Sequence, residues 1–147
     1  MSVPSDAPAR VIIAGYGLPG RSVADLLDQR GVPFRVIEFN ADTVTRCARG
    51  GVPIISGDAR DADVLRRAGV EQAQLLALTI PDDRVVLDII EQARKLNPKV
   101  RIVARCSYTS TGMEASRRGA QDVVVAEQIV ASEFSAIVSD RLNKAAM

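Results

Sequence analysis

Six short apolar runs alternate with amphipathic segments along the chain. The runs are rich in Val and Ile, and they predict strands at residues 11–14, 33–39, 52–57, 74–80, 99–106 and 122–127. The segments that follow them predict helices at residues 19–29, 41–50, 61–69, 81–96, 113–118 and 129–142. Continuous apolar runs are typical of parallel strands that helices cover on both faces. The pattern therefore predicts a single α/β domain, a Rossmann-like, doubly wound, six-stranded parallel sheet with strand order 3-2-1-4-5-6.

Local signals indicate where several of these helices begin or end. Glycine ends or closely follows four helical segments, at Gly31, Gly50, Gly69 and Gly119. We expect Pro81 at the first position of the fourth helix, where a backbone N–H would have no helical partner. The last helix carries its apolar residues on one side: Ile129, Val130, Phe134, Ile137, Val138 and Leu142. Packing of that side against the domain's own sheet is the simplest explanation.

Composition limits the classes of protein that the chain fits. Of its 147 residues, 47% are hydrophobic and 25% are charged, as in globular domains. The net charge of +1 gives no general electrostatic reason to expect nucleic acid as a partner. No apolar run is long enough to cross a bilayer, so we expect no direct membrane insertion. We expect residues 1–9 to form a flexible lead, residues 10–142 the domain and residues 143–147 a C-terminal tail.

Few residues suit metal binding or nucleophilic catalysis. The chain has no histidine, which excludes histidine-based triads and argues strongly against zinc. Cys47 and Cys106 follow no metal or redox spacing, so we expect buried, reduced thiols.

A glycine motif of the form G-x-G-x-x-G lies between the first predicted strand and the first predicted helix, at Gly15, Gly17 and Gly20. In dinucleotide-binding folds the first glycine permits a tight turn, the second lets a phosphate approach the backbone, and the third allows the helix to pack closely. The helix N-terminus adds N–H donors and partial positive charge. A tight strand–helix turn without a ligand is the alternative explanation.

Pro19 lies inside this loop and offers no N–H to a phosphate. Its fixed φ suits the first helical turn, so we expect it to remove one donor without destroying the site. The amides of Leu18, Gly20 and Arg21 remain, and the Arg21 side chain could also reach a phosphate.

Glu38 ends the second predicted strand, 18 residues after Gly20 (38 − 20). A carboxylate about 20 residues after such a glycine motif accepts hydrogen bonds from ribose hydroxyls. Because it would repel a 2′-phosphate, it favours NAD or an adenosine nucleotide over NADP. A solvated charge at a strand end is the alternative.

Three further residues end predicted strands at the same edge of the sheet. Asp58 follows the third strand and could bind a ligand or cap the next helix, although Asp61 competes for that role. Thr79 could line a nucleotide pocket or simply be a β-branched strand residue. Arg105 would face the same crevice and meet a phosphate or an acidic partner, or else it is a surface arginine.

Several stretches occur together in this order: GYGLPGRSVADLL, VIEFN, ISGDARDADVLRRAGVEQAQLLALTIPDD, VRIVARC and DVVVAEQIVASEFS. From Arg10 to Leu142 the chain thereby resembles the regulator of potassium conductance family, also called RCK, KTN or TrkA-N. The Gly-Asp pair that precedes VLRRAGVEQA is the most specific part of this resemblance. The GYGLPGR form is most similar to domains of potassium efflux and monovalent cation:proton antiporter systems.

The resemblance implies a cytoplasmic regulatory domain that binds AMP, ADP/ATP or NAD/NADH and controls a potassium channel or a cation:proton antiporter. It also implies a homodimer or higher oligomer in which the last helix crosses to the partner. Carried over by position, the phosphate loop is Gly15, Gly17, Leu18, Pro19, Gly20 and Arg21, the ribose acid is Glu38, the adenine edge is Asp58 and Ala59 (largely through backbone), and Thr79 and Arg105 border the ribose and phosphates.

One departure from the family pattern bears on the ligand. Relatives often carry a polar or basic residue and then valine where this chain has Leu18 and Pro19. The lost contact and the lost amide favour a mononucleotide such as AMP over a tightly held pyrophosphate.

Two other functions compete with regulation. A small NAD-dependent oxidoreductase would need a proton-transfer residue beside the nicotinamide. Tyr108 has no lysine four residues later, and no acid–base pair is evident, so we expect no enzyme activity. A Rossmann scaffold without a ligand is the third possibility. Pro19 favours the scaffold and Glu38 argues against it.

Overall fold

The computed structural model describes residues 8–146. Residues 1–7 of the predicted flexible lead therefore lie outside the described residues. The strands are β1 Val11–Ala14, β2 Phe34–Glu38, β3 Ile54–Ser56, β4 Leu75–Leu78, β5 Arg101–Cys106 and β6 Asp122–Val125. The helices are α1 Leu18–Gln29, α2 Ala41–Arg49, α3 Ala62–Ala68, α4 Asp83–Leu96, α5 Thr109–Arg118 and α6 Ala126–Ala145.

All strand pairs are parallel, and the order in the sheet is β3-β2-β1-β4-β5-β6, which confirms the predicted fold class and topology. β1 is central because Val11 pairs with Phe34 on one side and Leu75 on the other. The chain builds outwards from β1 to β3 and then returns to the opposite side of β1. This reversal opens a crevice at the carboxyl ends of β1 and β4, where open α/β sheets bind ligands.

The two faces of the sheet are covered unequally. On one face, helices α3, α4 and α5 bury Ile12, Leu76 and Ile102 in the larger hydrophobic cluster. On the other face, α1 packs over β1 and β2 and encloses a smaller cluster around Ile13 and Val36. Val124 of β6 stays 48% exposed. The half of the sheet beyond α1 therefore presents an apolar surface.

Helix α6 differs most from its prediction. It begins at Ala126, directly after β6, and extends to Ala145, so residues 143–145 of the expected tail are helical. Every residue from 127 to 146 is exposed. The apolar side chains that we expected on the domain's own sheet are 51–68% exposed: Ile129, Val130, Phe134, Ile137, Val138 and Leu142. The apolar side of α6 therefore does not pack on the domain's own sheet.

At α4 and α5, whose starts differ from the predicted residues, a carboxylate accepts a backbone N–H of the first turn. The Asp82 carboxylate accepts the Val85 N–H at 3.2 Å and caps α4, so Pro81 precedes the helix instead of opening it. Helix α5 begins at Thr109, where the Glu127 carboxylate accepts the Thr109 N–H at 2.8 Å. Glu127 is 18 residues away in sequence, so no local pattern could indicate this start.

Candidate functional site

A cleft of about 400 Å³ lies at the carboxyl ends of the central strands. The loops after β1, β2, β3 and β4 all contribute to it. Its lining residues are Gly15, Tyr16, Gly17, Ile37, Glu38, Phe39, Gly57, Asp58, Ala59, Arg60, Thr79, Ile80, Pro81, Asp82 and Val85. Six residues proposed from the sequence thus come together here: Gly15, Gly17, Glu38, Asp58, Ala59 and Thr79.

The three motif glycines occupy three different environments. Gly15 has φ +102° and donates its N–H to the Ile37 carbonyl at 2.9 Å, which makes the tight turn out of β1. A Cβ at Gly20 would lie 2.1 Å from the Gly15 carbonyl oxygen, so α1 packs directly on this turn. A Cβ at Gly17 would meet nothing within 4 Å. The backbone at Gly17 is therefore open to a ligand.

The first turn of α1 offers fewer donors than the sequence suggested. Leu18 begins the helix, and Pro19 follows within its first turn, where a missing N–H is tolerated. The Arg21 N–H, which we expected to remain available, donates to the Gly17 carbonyl at 2.9 Å as the first helical bond. The exposed Arg21 side chain is not among the cleft-lining residues.

Glu38 is held in place by backbone amides. Its Oε1 accepts the Tyr16 N–H at 3.2 Å, and its Oε2 accepts the Asn40 N–H at 3.1 Å. The carboxylate therefore joins the loops after β1 and β2 and is more than a solvated strand end. Each carboxylate oxygen can accept two hydrogen bonds, so both retain capacity for the hydroxyls of a sugar.

Asp58 does not cap the next helix. Asp61 has that role, because its carboxylate accepts the Asp63 N–H at 2.8 Å. The Asp58 carboxylate instead binds Arg60, with the shortest contact, 2.7 Å, between Oδ2 and Nη2. The hydrogen bonds from the Arg60 side chain hold the pKa of Asp58 below its usual value.

Thr79 both lines the cleft and holds the loop. Its hydroxyl lies 3.1 Å from the carbonyl oxygen of Ala14 and 3.0 Å from that of Gly15, and it donates to them. The side chain thus ties β4 to the turn after β1.

Arg105 is not in the cleft, contrary to expectation. It points to the same face of the sheet as Val124, its partner in β6, and lines a groove of about 380 Å³ with Pro19 and Ile129. Thr79 borders both the groove and the cleft. The Nη1 atom of Arg105 is buried and has no hydrogen-bond partner within residues 8–146. Alternation of side chains along β5 turns this arginine away from the crevice.

Two residues that sequence reasoning missed are prominent in the cleft. Phe39 follows Glu38 directly, lines the cleft and is 76% exposed. Arg60 lies two residues after Asp58, lines the same cleft and bonds the Asp58 carboxylate. The sequence offered one signal for them: each lies within two residues of a candidate binding carboxylate, Glu38 or Asp58. Within residues 8–146, no three His, Cys, Asp or Glu side chains converge closely enough to hold a metal ion.

Asp83, the first residue of α4, connects the rim of the cleft to the neighbouring loop at the same edge of the sheet. Its carboxylate accepts the Ser107 N–H at 2.8 Å and the Thr111 hydroxyl. Burial raises the pKa of Asp83, but the hydrogen bonds from Thr111 and Ser107 outweigh burial and lower it overall. The loop after β4 is thereby fixed to the loop after β5.

The sheet order, the glycine turn and the strand-end carboxylate define a Rossmann-type domain. The TrkA-N domain family matches residues 11–126, which is most of the chain. The protein belongs to this family, and the resemblance seen in its sequence is confirmed.

Known relatives contain the domain within longer chains. YbaL of Escherichia coli (strain K12) is 31% identical over 129 residues, which cover 88% of this chain and 23% of YbaL. The glutathione-regulated potassium-efflux system protein KefC of Cronobacter sakazakii is 36% identical over 96 residues, covering 65% of this chain and 16% of KefC. The chain thus spans less than a quarter of these relatives.

Solved structures agree with the fold. The crystal structure of the TrkA-N domain of the inner membrane protein YbaL from Escherichia coli has a TM-score of 0.84 at 30% identity, covering 90% of this chain and 98% of that one. The Kef CTD of Shewanella denitrificans in its AMP-bound form has a TM-score of 0.78 at 29% identity, covering 90% of this chain and 80% of that one.

Proposed function

We propose that this chain is a cytoplasmic nucleotide-binding regulatory domain that controls a potassium channel or a cation:proton antiporter. KefC and YbaL, which contain the same family domain, support a membrane transport partner. None of the helices within residues 8–146 has the length and apolar character to span a bilayer. The observation that carries the proposal is the Glu38 carboxylate, fixed opposite the open backbone of Gly17 in one cleft.

An adenine nucleotide suits this cleft. The phosphate would lie at Gly17 and Leu18, where the N-terminus of α1 provides partial positive charge. The ribose hydroxyls would donate to Glu38. The base would lie at Asp58 and Ala59, at the far side of the cavity. The Kef CTD, which is AMP-bound, supports this assignment.

AMP is the ligand that we favour, with ADP, ATP, NAD and NADH as the alternatives. Pro19 provides no amide to a second phosphate, and the Arg21 amide is already bonded within α1. Arg105, which we expected to border the ribose and phosphates, lies in the neighbouring groove. A single phosphate therefore matches the donors of this loop better than a pyrophosphate.

Replacing Glu38 by alanine is expected to weaken nucleotide binding by about 1–3 kcal/mol, because charge-assisted hydrogen bonds to the ribose are lost. Calorimetric titration with AMP, ADP, ATP, NAD and NADH measures the effect and ranks the ligands. Glu71→Ala removes an exposed carboxylate outside the cleft and should leave the affinities unchanged. If folded wild-type protein binds none of the five nucleotides, the chain is a scaffold without a ligand.

The cleft supports binding rather than catalysis. Neither lysine nor histidine is among its lining residues. Its fixed carboxylates are already bonded, Glu38 to two backbone amides and Asp58 to Arg60. An oxidoreductase would need a free acid or base beside the nicotinamide. Turnover of NADH with a small carbonyl substrate would contradict this part of the proposal.

Regulation would follow from differential affinity. The nucleotide would contact the loops after β1, β2 and β3 together, so it would bind most tightly to the arrangement in which these loops are closest. A ligand that binds one arrangement better shifts the equilibrium towards it by that difference in free energy. The transport partner would respond to the favoured arrangement.

A homodimer would cover the exposed apolar surfaces. The apolar side of α6 is uncovered, and so is the groove beside α1 that Ile129, Val130 and Val124 line. Because helix and groove belong to the same chain, two copies can cover each other symmetrically. We therefore propose that α6 of a second copy packs on this surface.

Phe134→Glu tests this dimer. Phe134 is 68% exposed on α6, and a carboxylate at this position would be buried without a partner in a dimer, so we expect a monomer in sedimentation analysis. Met113→Glu on α5 is the matched control, because Met113 is exposed outside the groove and its variant should dimerise as the wild type does. A wild-type protein that sediments as a monomer would contradict the proposal.

A further inference from the structure

Two carboxylates outside the cleft, Asp83 and Glu127, hold the same short segment of the chain. The segment is the β5–α5 junction, residues 107–109. The Asp83 carboxylate accepts the Ser107 N–H at 2.8 Å through Oδ1 and at 3.0 Å through Oδ2. The Oε1 atom of Glu127 accepts the Thr109 N–H at 2.8 Å and the Thr109 hydroxyl at 2.9 Å. The junction is therefore fixed between the first turn of α4 and the first turn of α6.

Helix α6 is attached to the domain at this junction. The Glu127 N–H donates to the Ser107 carbonyl at 3.2 Å, and the Gln128 side-chain amide donates to the Thr109 hydroxyl at 3.1 Å. Within residues 8–146, the hydrogen bonds that join residues 127–146 to other elements involve Glu127 and Gln128 alone. All residues from 127 to 146 are exposed, so packing against the domain adds little. The direction in which α6 leaves the domain therefore depends on how the junction is held.

The first turn of α4 borders both the junction and the nucleotide cleft. Pro81, Asp82 and Val85 line the cleft, and Asp83 lies among them in the chain. The Asp82 carboxylate accepts the Val85 N–H at 3.2 Å, so the cleft-lining residues and Asp83 belong to one capped turn. Hydrogen-bond networks and rigid elements carry coupling between separate sites. A ligand that displaces this wall of the cleft must therefore displace Asp83 with it.

Both carboxylates are bound strongly enough to favour their ionised form. Hydrogen bonds from the backbone and side chain of Thr109 lower the pKa of Glu127. Burial raises the pKa of Asp83, but the hydrogen bonds from Thr111 and Ser107 leave it below its usual value. Hydrogen bonds to an ionised acceptor are stronger than those between neutral groups. The two links to the junction therefore stay closed near neutral pH.

We propose that the β5–α5 junction, held between Asp83 and Glu127, sets the direction of α6 and couples that direction to the occupancy of the cleft. The inference rests on the proposed nucleotide function. It deepens that function by assigning the residues that connect the bound nucleotide to the helix offered to a partner. Asp83 and Glu127 act as positioning residues, since neither lines the cleft.

The direction of α6 is measured as a distance between two spin labels within one chain. Cys47→Ser removes the partly exposed thiol, and Cys106 is fully buried. Labels are attached at Asp28→Cys on α1 and Asn143→Cys on α6, both exposed, and dilution with unlabelled protein excludes distances between chains. The 17 residues from Ala126 to Asn143 (143 − 126) span about 25 Å, so a turn of about 10° at the base of α6 moves its label by about 4 Å.

Saturating AMP (or NAD, if AMP does not bind) should shift this distance by about 4 Å in the chain with an intact junction. Glu127→Ala should abolish the shift, although the nucleotide still binds with an affinity within about tenfold of the wild-type value. Glu127→Gln should restore the shift, because its amide oxygen replaces the Oε1 atom that accepts both bonds from Thr109. Asp83→Ala should abolish the shift by opening the other link to the junction.

Glu133→Ala is the matched control, because Glu133 is an exposed carboxylate on the same helix outside the junction, and its variant should shift as the wild type does. A nucleotide that binds the wild-type chain and leaves the distance unchanged would overturn the inference and keep the proposed binding. A shift that persists in folded Glu127→Ala and Asp83→Ala proteins would also overturn it. Folded wild-type protein that binds no nucleotide overturns both the inference and the proposed function.

Discussion

Gly20→Ala should destabilise the protein by about 3 kcal/mol, although alanine is the better helix former. Its Cβ would lie 2.1 Å from the carbonyl oxygen and 3.0 Å from the carbonyl carbon of Gly15, and 3.0 Å from Thr79 Oγ1. Two of these atoms are backbone, and the Thr79 hydroxyl is tied to the same turn. The helix must therefore move away from the sheet. Urea unfolding followed by circular dichroism measures the loss.

Gly17→Ala distinguishes an effect on ligand binding from an effect on protein stability. Gly17 has φ −77°, which alanine adopts without strain, and its Cβ would meet nothing within 4 Å. Stability should fall by less than about 1 kcal/mol, the usual cost of alanine at a helix N-cap. AMP affinity should nevertheless drop, because the methyl group occupies the phosphate position. A Gly20→Ala protein as stable as Gly17→Ala would contradict the packing argument.

Arg94→Ala should also destabilise the protein by about 3 kcal/mol, far more than a typical arginine substitution. Its Nη1 donates to the carbonyl oxygens of Pro98 at 3.0 Å and Val100 at 2.7 Å. Its Nη2 donates to the Gly119 carbonyl at 2.7 Å and to Gln121 Oε1 at 3.1 Å. Burial lowers the pKa of this guanidinium. The substitution would remove these donors from the partly buried carbonyl oxygens of Val100 and Gly119.

Arg101→Ala is the matched control for Arg94. Arg101 pairs with Asp122 at 2.9 Å, but both side chains are exposed, and such surface pairs contribute at most about 1 kcal/mol. Urea midpoints of the two variants, measured at the same pH, provide the comparison. Equal midpoints would show that the Arg94 bonds contribute no more than a surface ion pair. AMP affinity should be unaffected in both variants, since neither residue lines the cleft.

Short-range patterns were enough to predict the fold and several residues that line the candidate cleft. The central strands β1 and β4 are continuous apolar runs, and all six strands lie within their predicted segments. The glycine spacing places Gly15 and Gly20 in direct contact, and Glu38 ends β2 as its distance from the motif predicted. These features depend on backbone sterics and on residues adjacent in sequence. The sequence alone therefore carries enough information to locate them.

Features that depend on distant residues became visible only in the folded chain. The start of α5 depends on the hydrogen bond to Glu127. Arg105 lies in the groove because its side chain is on the face of β5 beside α1. The ion pair between Asp58 and Arg60 joins residues only two apart, but its geometry, with Arg60 bonded to both carboxylate oxygens, depends on side-chain conformation that the sequence does not show.

Helix α6 shows both what the sequence determines and what the tertiary structure decides. Its apolar residues predicted a helix with one buried side, and the helix is present. What it packs on was decided by tertiary structure, because the sheet ends at β6 and the chain leaves it there, with residues 127–146 exposed. Sequence by itself determined that this surface is apolar, since that follows from residue type and period. Only the folded arrangement determined that the surface faces outwards, because that depends on where the last strand directs the chain.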